Sequence, residues 1–278
     1  MSCRYFFFLV CMLMAFSVKS QYYYKDILIT KQNQENWKTF QIQKVRDIQI
    51  QSLDANNEPT PGFTCSQSLS PDFSSIITYT KSANIPASTL FATYDRNGRL
   101  VKTTDTSDTY KATTDYTYNE NGALAGLMNV STETDNHSTA SEMHVWIYKN
   151  ELPDQMIKIK GDQDSTIVKL VRDENGNVVE EQAFHGTQKL PTIYYYYDND
   201  KRLTDIVRYN QKADRLLPDY IFEYISNRIS SMIFVPSGSS DYQKWVYSYQ
   251  NNGLKSSEFC YDKKRQLVVK INYIYNFQ

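Results

Sequence analysis

Apolar and polar positions alternate with a period of two along most of this chain, from about residue 76 to its end. The clearest run is the last one, which places six apolar or aromatic residues on one face: Leu267, Val269, Ile271, Tyr273, Tyr275 and Phe277. Shorter runs repeat the pattern at Trp245-Tyr247-Tyr249, Tyr220-Phe222-Tyr224 and Ile193-Tyr195-Tyr197. Because successive side chains of an extended chain point to opposite faces, this spacing predicts β-strands.

Tight turns separate the alternating runs. Asp95-Arg96-Asn97-Gly98, Asn119-Glu120-Asn121-Gly122 and Asp173-Glu174-Asn175-Gly176 place a glycine where a hairpin needs positive φ. Asp198-Asn199-Asp200-Lys201 and Asp262-Lys263-Lys264-Arg265 stand at equivalent points without glycine, and we expect turns there too. The turns recur about every 25 residues, which is enough for two strands and two reversals.

These patterns predict an all-β protein, an antiparallel meander of hairpin repeats that forms a barrel-like or curved open sheet. The period gives roughly 14 to 18 strands. Residues 76–278 hold the repeats. Residues 21–75 are predicted to contribute N-terminal strands, around Phe40-Gln41-Ile42 and Ile48-Gln49-Ile50, and a polar loop over residues 54–72. We expect residues 21–278 to form a single domain, because some 50 residues are few for a separate core.

The first 20 residues have the pattern of a secretory signal peptide. Arg4 precedes an apolar run of about a dozen residues, too short for a bilayer span of about 20, and Val18-Lys19-Ser20 offers small residues for cleavage before Gln21. The mature protein is therefore expected to be exported to the periplasm, the cell surface or the medium.

Composition narrows the function classes. With 30 basic and 31 acidic residues, the chain gives no electrostatic reason to expect a nucleic-acid partner. The chain has 23 Tyr against 13 Phe, and tyrosine suits half-wet sheet faces and contact surfaces. Cys65 and Cys260 remain after signal removal. Export permits a disulfide between them, and two separate buried thiols are the alternative.

The phrase Tyr94-Asp95-Arg96-Asn97-Gly98-Arg99-Leu100, with the Tyr-Asp pairs at Tyr197 and Tyr261, resembles the YD repeats of the RHS family. The similarity covers roughly residues 90–278. The resemblance implies long curved antiparallel sheets, although there are too few repeats here for the large shell of toxin members. The chain also resembles small secreted proteins of Gram-negative gut bacteria with YD-like or porin-like sheets. Neither resemblance implies a catalytic residue in this chain.

Candidate chemistry is sparse. His137, His144 and His185 are scattered without the spacing of a zinc site, and the Asp/Asn pairs in the turns are explained by turn formation better than by calcium binding. We therefore predict neither cofactor nor metal, and no enzymatic activity.

The run Tyr194-Tyr195-Tyr196-Tyr197 is the better functional candidate. Alternation must turn one pair inward and the other outward, where rings can stack on a glycan or on a surface protein. The alternative is a purely structural aromatic ladder. The sequence therefore predicts a non-enzymatic secreted scaffold or binding module with tyrosine-rich contact faces. An outer-membrane β-barrel is the alternative, since the last strand resembles a closing barrel strand. Charges such as Glu180-Glu181 and Lys158-Lys160 argue against membrane insertion.

Overall fold

The protein folds as an antiparallel closed β-barrel. The computed structural model describes residues 22–83, 85–161, 164–210, 213–236 and 239–278, so the predicted signal peptide lies outside the described residues. Neighbouring strands are consecutive in sequence, and β1 pairs with both β2 and β19, which closes the ring. Within the described residues the ring has eighteen strands, with the two-residue β12 beside β11 as an addition. The predicted all-β meander is thereby confirmed, in its barrel form.

The strands are β1 Val45–Leu53, β2 Thr64–Leu69, β3 Ser75–Ser82, β4 Ile85–Tyr94, β5 Leu100–Ser107, β6 Tyr110–Tyr118, β7 Leu124–Glu133, β8 Thr139–Lys149, β9 Leu152–Lys160, β10 Asp164–Arg172, β11 Val178–His185, β12 Gln188–Lys189, β13 Ile193–Tyr197, β14 Leu203–Asn210, β15 Arg215–Ile225, β16 Arg228–Phe234, β17 Gln243–Tyr249, β18 Lys255–Tyr261 and β19 Leu267–Phe277. The helix α1, Lys25–Ile42, precedes them.

The N-terminal prediction was wrong in two places. Phe40, Gln41 and Ile42 end α1 instead of forming a strand, and β2 lies within the stretch that was predicted as loop. The helix has few apolar residues, and its buried positions are Asp26, Thr30 and Trp37, which helical spacing places near one face. Two of the three are polar, so no apolar stripe marks the helix in the sequence.

One end of the barrel, here called the tyrosine end, carries the turns after Tyr94, Tyr118, Tyr197 and Tyr224. In the turn at Asp95 the side-chain Oδ1 accepts the backbone N–H groups of Asn97 and Arg99, both at 2.9 Å. Asp173 and Asp198 repeat this arrangement at the same end, and Asp262 repeats it at the opposite end. Where glycine is missing, Lys201 and Arg265 adopt the positive φ themselves, so these turns form as predicted.

Inward tyrosines tie neighbouring strands together at the tyrosine end. Each donates its hydroxyl to a backbone carbonyl at or next to the start of the preceding strand. The six pairs, at 2.8 to 3.0 Å, are Tyr118 with Leu100, Tyr148 with Leu124, Tyr197 with Val178, Tyr224 with Leu203, Tyr249 with Ile229 and Tyr275 with Lys255. Because a buried carbonyl without a donor is destabilising, the recurring tyrosine stabilises the pairing of neighbouring strands in the barrel wall.

Apolar side chains fill much of the interior. One cluster joins Trp37 of the helix to β1, β2, β3 and β16–β19, and a second joins Tyr23 to β8–β14. The helix lies against the tyrosine end, where Trp37 donates to the carbonyl of Phe73 at 2.6 Å and Gln34 to that of Asn97 at 2.9 Å. The ring of Trp37 covers Gly98 so closely that a Cβ there would overlap it.

Candidate functional sites

A buried polar network fixes the segment before the helix to the inner wall. Both carboxylate oxygens of Glu181 accept the backbone N–H of Tyr23 at 2.9 Å, and Oε2 also accepts the N–H of Tyr24 and the hydroxyl of Tyr195, each at 2.8 Å. Glu181 is 1% exposed. Burial raises the pKa of its carboxyl, against the opposing effect of these hydrogen bonds. The network therefore holds the N-terminal segment inside the barrel.

His144 forms the second half of this anchor. Its Nδ1 lies 2.6 Å from Asp26 of the helix, and its Nε2 lies 3.0 Å from Glu142, which in turn pairs with Lys158 at 3.1 Å. Burial disfavours the imidazolium, but the hydrogen bonds to Asp26 and Glu142 outweigh it and raise the pKa of His144 to about 9. The same contacts, led by His144, lower the pKa of Glu142 to about 2. At neutral pH His144 is therefore protonated and Glu142 ionised, and the two are paired with each other.

The tyrosine run splits across the wall as alternation requires. Tyr195 and Tyr197 point inward, the first to Glu181 and the second to the carbonyl of Val178. Tyr194 and Tyr196 lie on the outer face, and Tyr196 is 46% exposed. The predicted binding surface therefore reduces to the outer pair.

The outer pair belongs to a larger patch, here called the outer tyrosine surface. Register places Val207 and Pro218 beside Tyr194, Ile221 beyond Tyr196, and Leu216 beside the exposed Tyr209. Two carboxylates lie within it, since Glu180 pairs across strands with Tyr194 and Asp205 with Tyr196. Rings and hydrogen-bond acceptors thus lie side by side over four strands, β11, β13, β14 and β15.

The predicted disulfide between Cys65 and Cys260 does not form in this structure. Cys65 lies on β2 and Cys260 on β18, with β1 and β19 between them. Three inter-strand steps of about 4.8 Å separate the two backbones, well beyond the Cα separation that a disulfide spans. Both residues are buried, and the Cys65 Sγ lies 3.6 Å from the hydroxyl of Thr80.

Charged side chains lie on both faces of the barrel wall, and the alternation pattern in the sequence did not show which of them face outward. Lys158 and Glu181, two of the residues counted against membrane insertion, point inward. Other strands do present charge outward: Lys102 pairs with Asp115 at 2.9 Å with both side chains about half exposed, and Lys244 pairs with Glu223 at 3.1 Å. By contrast, β7–β10 present a mainly apolar outer face, with Met143, Val145, Ile157, Ile159 and Ile167.

No metal-binding group of three or more His, Cys, Asp or Glu side chains occurs among the described residues. The described helix is not both long and apolar enough to span a bilayer. His144, one of the scattered histidines, proved to be the centre of the anchor. Its partner Asp26 lies 118 positions away, so no local signal could have joined them.

No family model matches the chain, and no curated protein matches it, so the YD-repeat resemblance stays a prediction. Among solved structures, a porin-like protein from Bacteroides uniformis is similar over 84% of this chain and 98% of its own, with a TM-score of 0.40 and 9% sequence identity. At that TM-score the likeness carries no argument about function.

Proposed function

We propose that this protein is an exported, non-enzymatic binding module, a water-soluble barrel whose outer tyrosine surface binds glycan. The observation that carries the proposal is the outer tyrosine surface itself. Tyr196 and Tyr209 are 46% and 45% exposed, and Leu216 beside Tyr209 is 41% exposed. Exposed rings that keep a polar tip favour the apolar faces of sugars.

Carboxylates beside the rings supply the second part of the chemistry. Asp205 stands between Tyr196 and Ile221, and Glu180 stands next to Tyr194. Carboxylate oxygens accept hydrogen bonds from sugar hydroxyls, while a ring covers the C–H face of the same unit. A surface four strands wide suits a chain of sugar units better than one small molecule.

Water solubility rests on the distribution of polar groups over the wall. Ion pairs such as Lys102–Asp115 and Lys244–Glu223 lie on the outer face of the strands, while most tyrosine rings of β15–β19 face inward. A cationic side chain on a lipid-facing strand costs about 2–4 kcal/mol at the bilayer midplane. Several such charges around the ring favour a barrel surrounded by water.

The test uses affinity electrophoresis of the mature protein through a panel of soluble polysaccharides. We expect retardation by at least one of them, and at least a tenfold weaker interaction for the double variant Tyr194→Ala, Tyr196→Ala. Tyr79→Ala is the matched control, because Tyr79 is an outer-wall tyrosine, 38% exposed, on β3. No retardation by any polysaccharide, or equal retardation of the double variant, would remove the proposal, as would capture of a protein partner alone.

An outer-membrane barrel is the second candidate function. The apolar outer face of β7–β10 favours it, because lipid-facing strands alternate apolar residues outward. The outer ion pairs elsewhere count against it. Whether the protein is released from cells without detergent distinguishes the water-soluble barrel from the outer-membrane barrel.

A further inference from the structure

The charges on the outer tyrosine surface and at its border are of one sign. The described outward positions of β11, β13, β14 and β15 include the acidic residues Glu180, Asp205 and Glu223, and no lysine or arginine. Arg208 of β14 points inward, where it pairs with Asp219 at 2.7 Å. The surface therefore offers carboxylates without basic side chains among them.

Two of these three acids have no cationic partner in the described part of the chain. Glu223, at the border, pairs with Lys244 at 3.1 Å. Glu180 accepts a hydrogen bond from Gln182 Nε2 at 2.7 Å, which is a neutral donor, and neither Glu180 nor Asp205 forms an ion pair with a described residue. Their negative charge is thus left for a group from outside.

The lysines that border the surface beside β11 are directed elsewhere. Lys169 Nζ lies 5.5 Å from the centre of the Phe184 ring, and Lys189 pairs across strands with the same Phe184. Phe184 is four residues from Glu180 on β11, which is about 13 Å along the strand. Neither lysine therefore neutralises Glu180.

Outward rings elsewhere on the wall show what the tyrosine rings lack. Like Phe184, Phe259 on β18 has an ammonium group over its ring, with Lys270 Nζ 5.6 Å from the ring centre. Among the described residues no cation covers Tyr194, Tyr196 or Tyr209. Because an ammonium group is attracted both to the face of an aromatic ring and to a carboxylate, one cationic ligand group satisfies both features.

We propose that the outer tyrosine surface selects glycans with free amino groups, that is, chains of amino sugars, over neutral and acidic glycans; this rests on the proposed glycan-binding function. Glu180 stands beside Tyr194 and Asp205 beside Tyr196, so each ring has an acid next to it. A sugar unit stacks on the ring while its ammonium group donates a charge-assisted hydrogen bond to the acid. An acidic glycan is repelled, because it would place like charges beside the two carboxylates.

Isothermal titration of the mature protein with four sugar hexamers tests this selectivity. The probes are the hexamers of glucosamine, N-acetylglucosamine, glucose and galacturonate, at a mildly acidic pH that protonates the amino groups. We expect the glucosamine hexamer to bind at least tenfold more tightly than the N-acetylglucosamine hexamer, and the galacturonate hexamer not to bind. Since salt screens exposed charges, this preference should shrink as sodium chloride is added.

The double variant Glu180→Gln, Asp205→Asn removes both charges and keeps the size of the side chains. It should bind the glucosamine and N-acetylglucosamine hexamers within threefold of each other, with an unchanged far-ultraviolet spectrum. Asp115→Asn is the matched control, because Asp115 is an outer-face acid on β6, away from this surface, that already pairs with Lys102 at 2.9 Å. It should keep the full preference.

The outcomes separate this proposal from glycan binding itself. Equal binding of the glucosamine and N-acetylglucosamine hexamers by the unmodified protein, or a full preference in the double charge variant, would overturn the amino-sugar selectivity and leave glycan binding standing. Absence of binding to all four hexamers would overturn both. Hexalysine that binds as tightly as the glucosamine hexamer, and equally well to Tyr194→Ala, Tyr196→Ala, would identify a cationic peptide as the ligand and also overturn the selectivity.

Discussion

The two sides of the barrel interior differ in how they satisfy their polar groups. On β11–β19 the inward side chains are large rings whose hydroxyls reach backbone carbonyls, and the buried Glu181 has three donor groups. On β4–β8 Tyr118 and Tyr148 do the same near the tyrosine end, but farther along these strands most inward side chains are small, and the buried Asp105 keeps one oxygen without a partner among the described residues. A buried acid is thus fully hydrogen-bonded on the first side and only partly hydrogen-bonded on the second, so we expect the two acids to contribute differently to stability.

The largest effect is expected from removing the anchor on the ring-lined side. Glu181→Leu leaves two buried backbone N–H groups and the Tyr195 hydroxyl without their acceptor, and should lower the free energy of unfolding by about 4 kcal/mol. Urea denaturation measures it. Glu180→Leu, one residue away on the outer face, should change stability by less than about 0.5 kcal/mol. Equal effects would show that the inner and outer assignments of β11 are wrong.

The next effect depends on pH. His144 has its pKa raised to about 9 in the folded protein, above its ordinary 6.5, so its contribution to stability is fully present below pH 6.5 and is lost as pH rises through about 9. The urea midpoint should therefore fall between pH 7 and pH 10. In His144→Gln that fall should largely disappear, and an unchanged profile would contradict the charged Asp26–His144–Glu142 cluster.

Smaller losses are expected from the tyrosine hydroxyls. Tyr118→Phe and Tyr224→Phe each remove one hydrogen bond to a strand-start carbonyl and should cost about 1 kcal/mol. Tyr196→Phe, on the outer face, should cost nothing measurable. Thermal unfolding of the three variants compares them directly, and a uniform result would mean that these hydroxyls do not hold the tyrosine end together.

The smallest expected effect is an unchanged or slightly higher stability, in contrast to the losses above. Asp105→Asn replaces a buried carboxyl group whose Oδ1 has no partner among the described residues, and should leave stability unchanged or raise it by about 1 kcal/mol. A loss as large as that of Glu181→Leu would show that Asp105 is a structural group like Glu181, and the contrast between the two sides would disappear.

The strands, turns and alternation could be predicted because they are local. The inward positions of β19, and the placement of Tyr194 and Tyr196 on the face opposite to Tyr195 and Tyr197, follow from the two-residue period of a β-strand. The turns at aspartate follow from the local hydrogen bonds that an aspartate side chain makes to the backbone. Helix α1 could not be predicted from apolar periodicity, because it buries Asp26 and Thr30 against a distant wall. The anchor joins Tyr23 to Glu181, 158 positions apart, so no local pattern could predict it. That Asp105 Oδ1 is buried without a partner among the described residues depends on the folded neighbours and could not be predicted either.

We propose that the barrel is water-soluble, because ion pairs such as Lys102–Asp115 and Lys244–Glu223 lie on its outer face. Detergent-free release from cells by osmotic shock, followed by size-exclusion chromatography without detergent, tests this most directly. We expect the mature protein to be recovered in the soluble fraction as a folded species rich in β-structure. Retention in the outer-membrane fraction until detergent is added would contradict it.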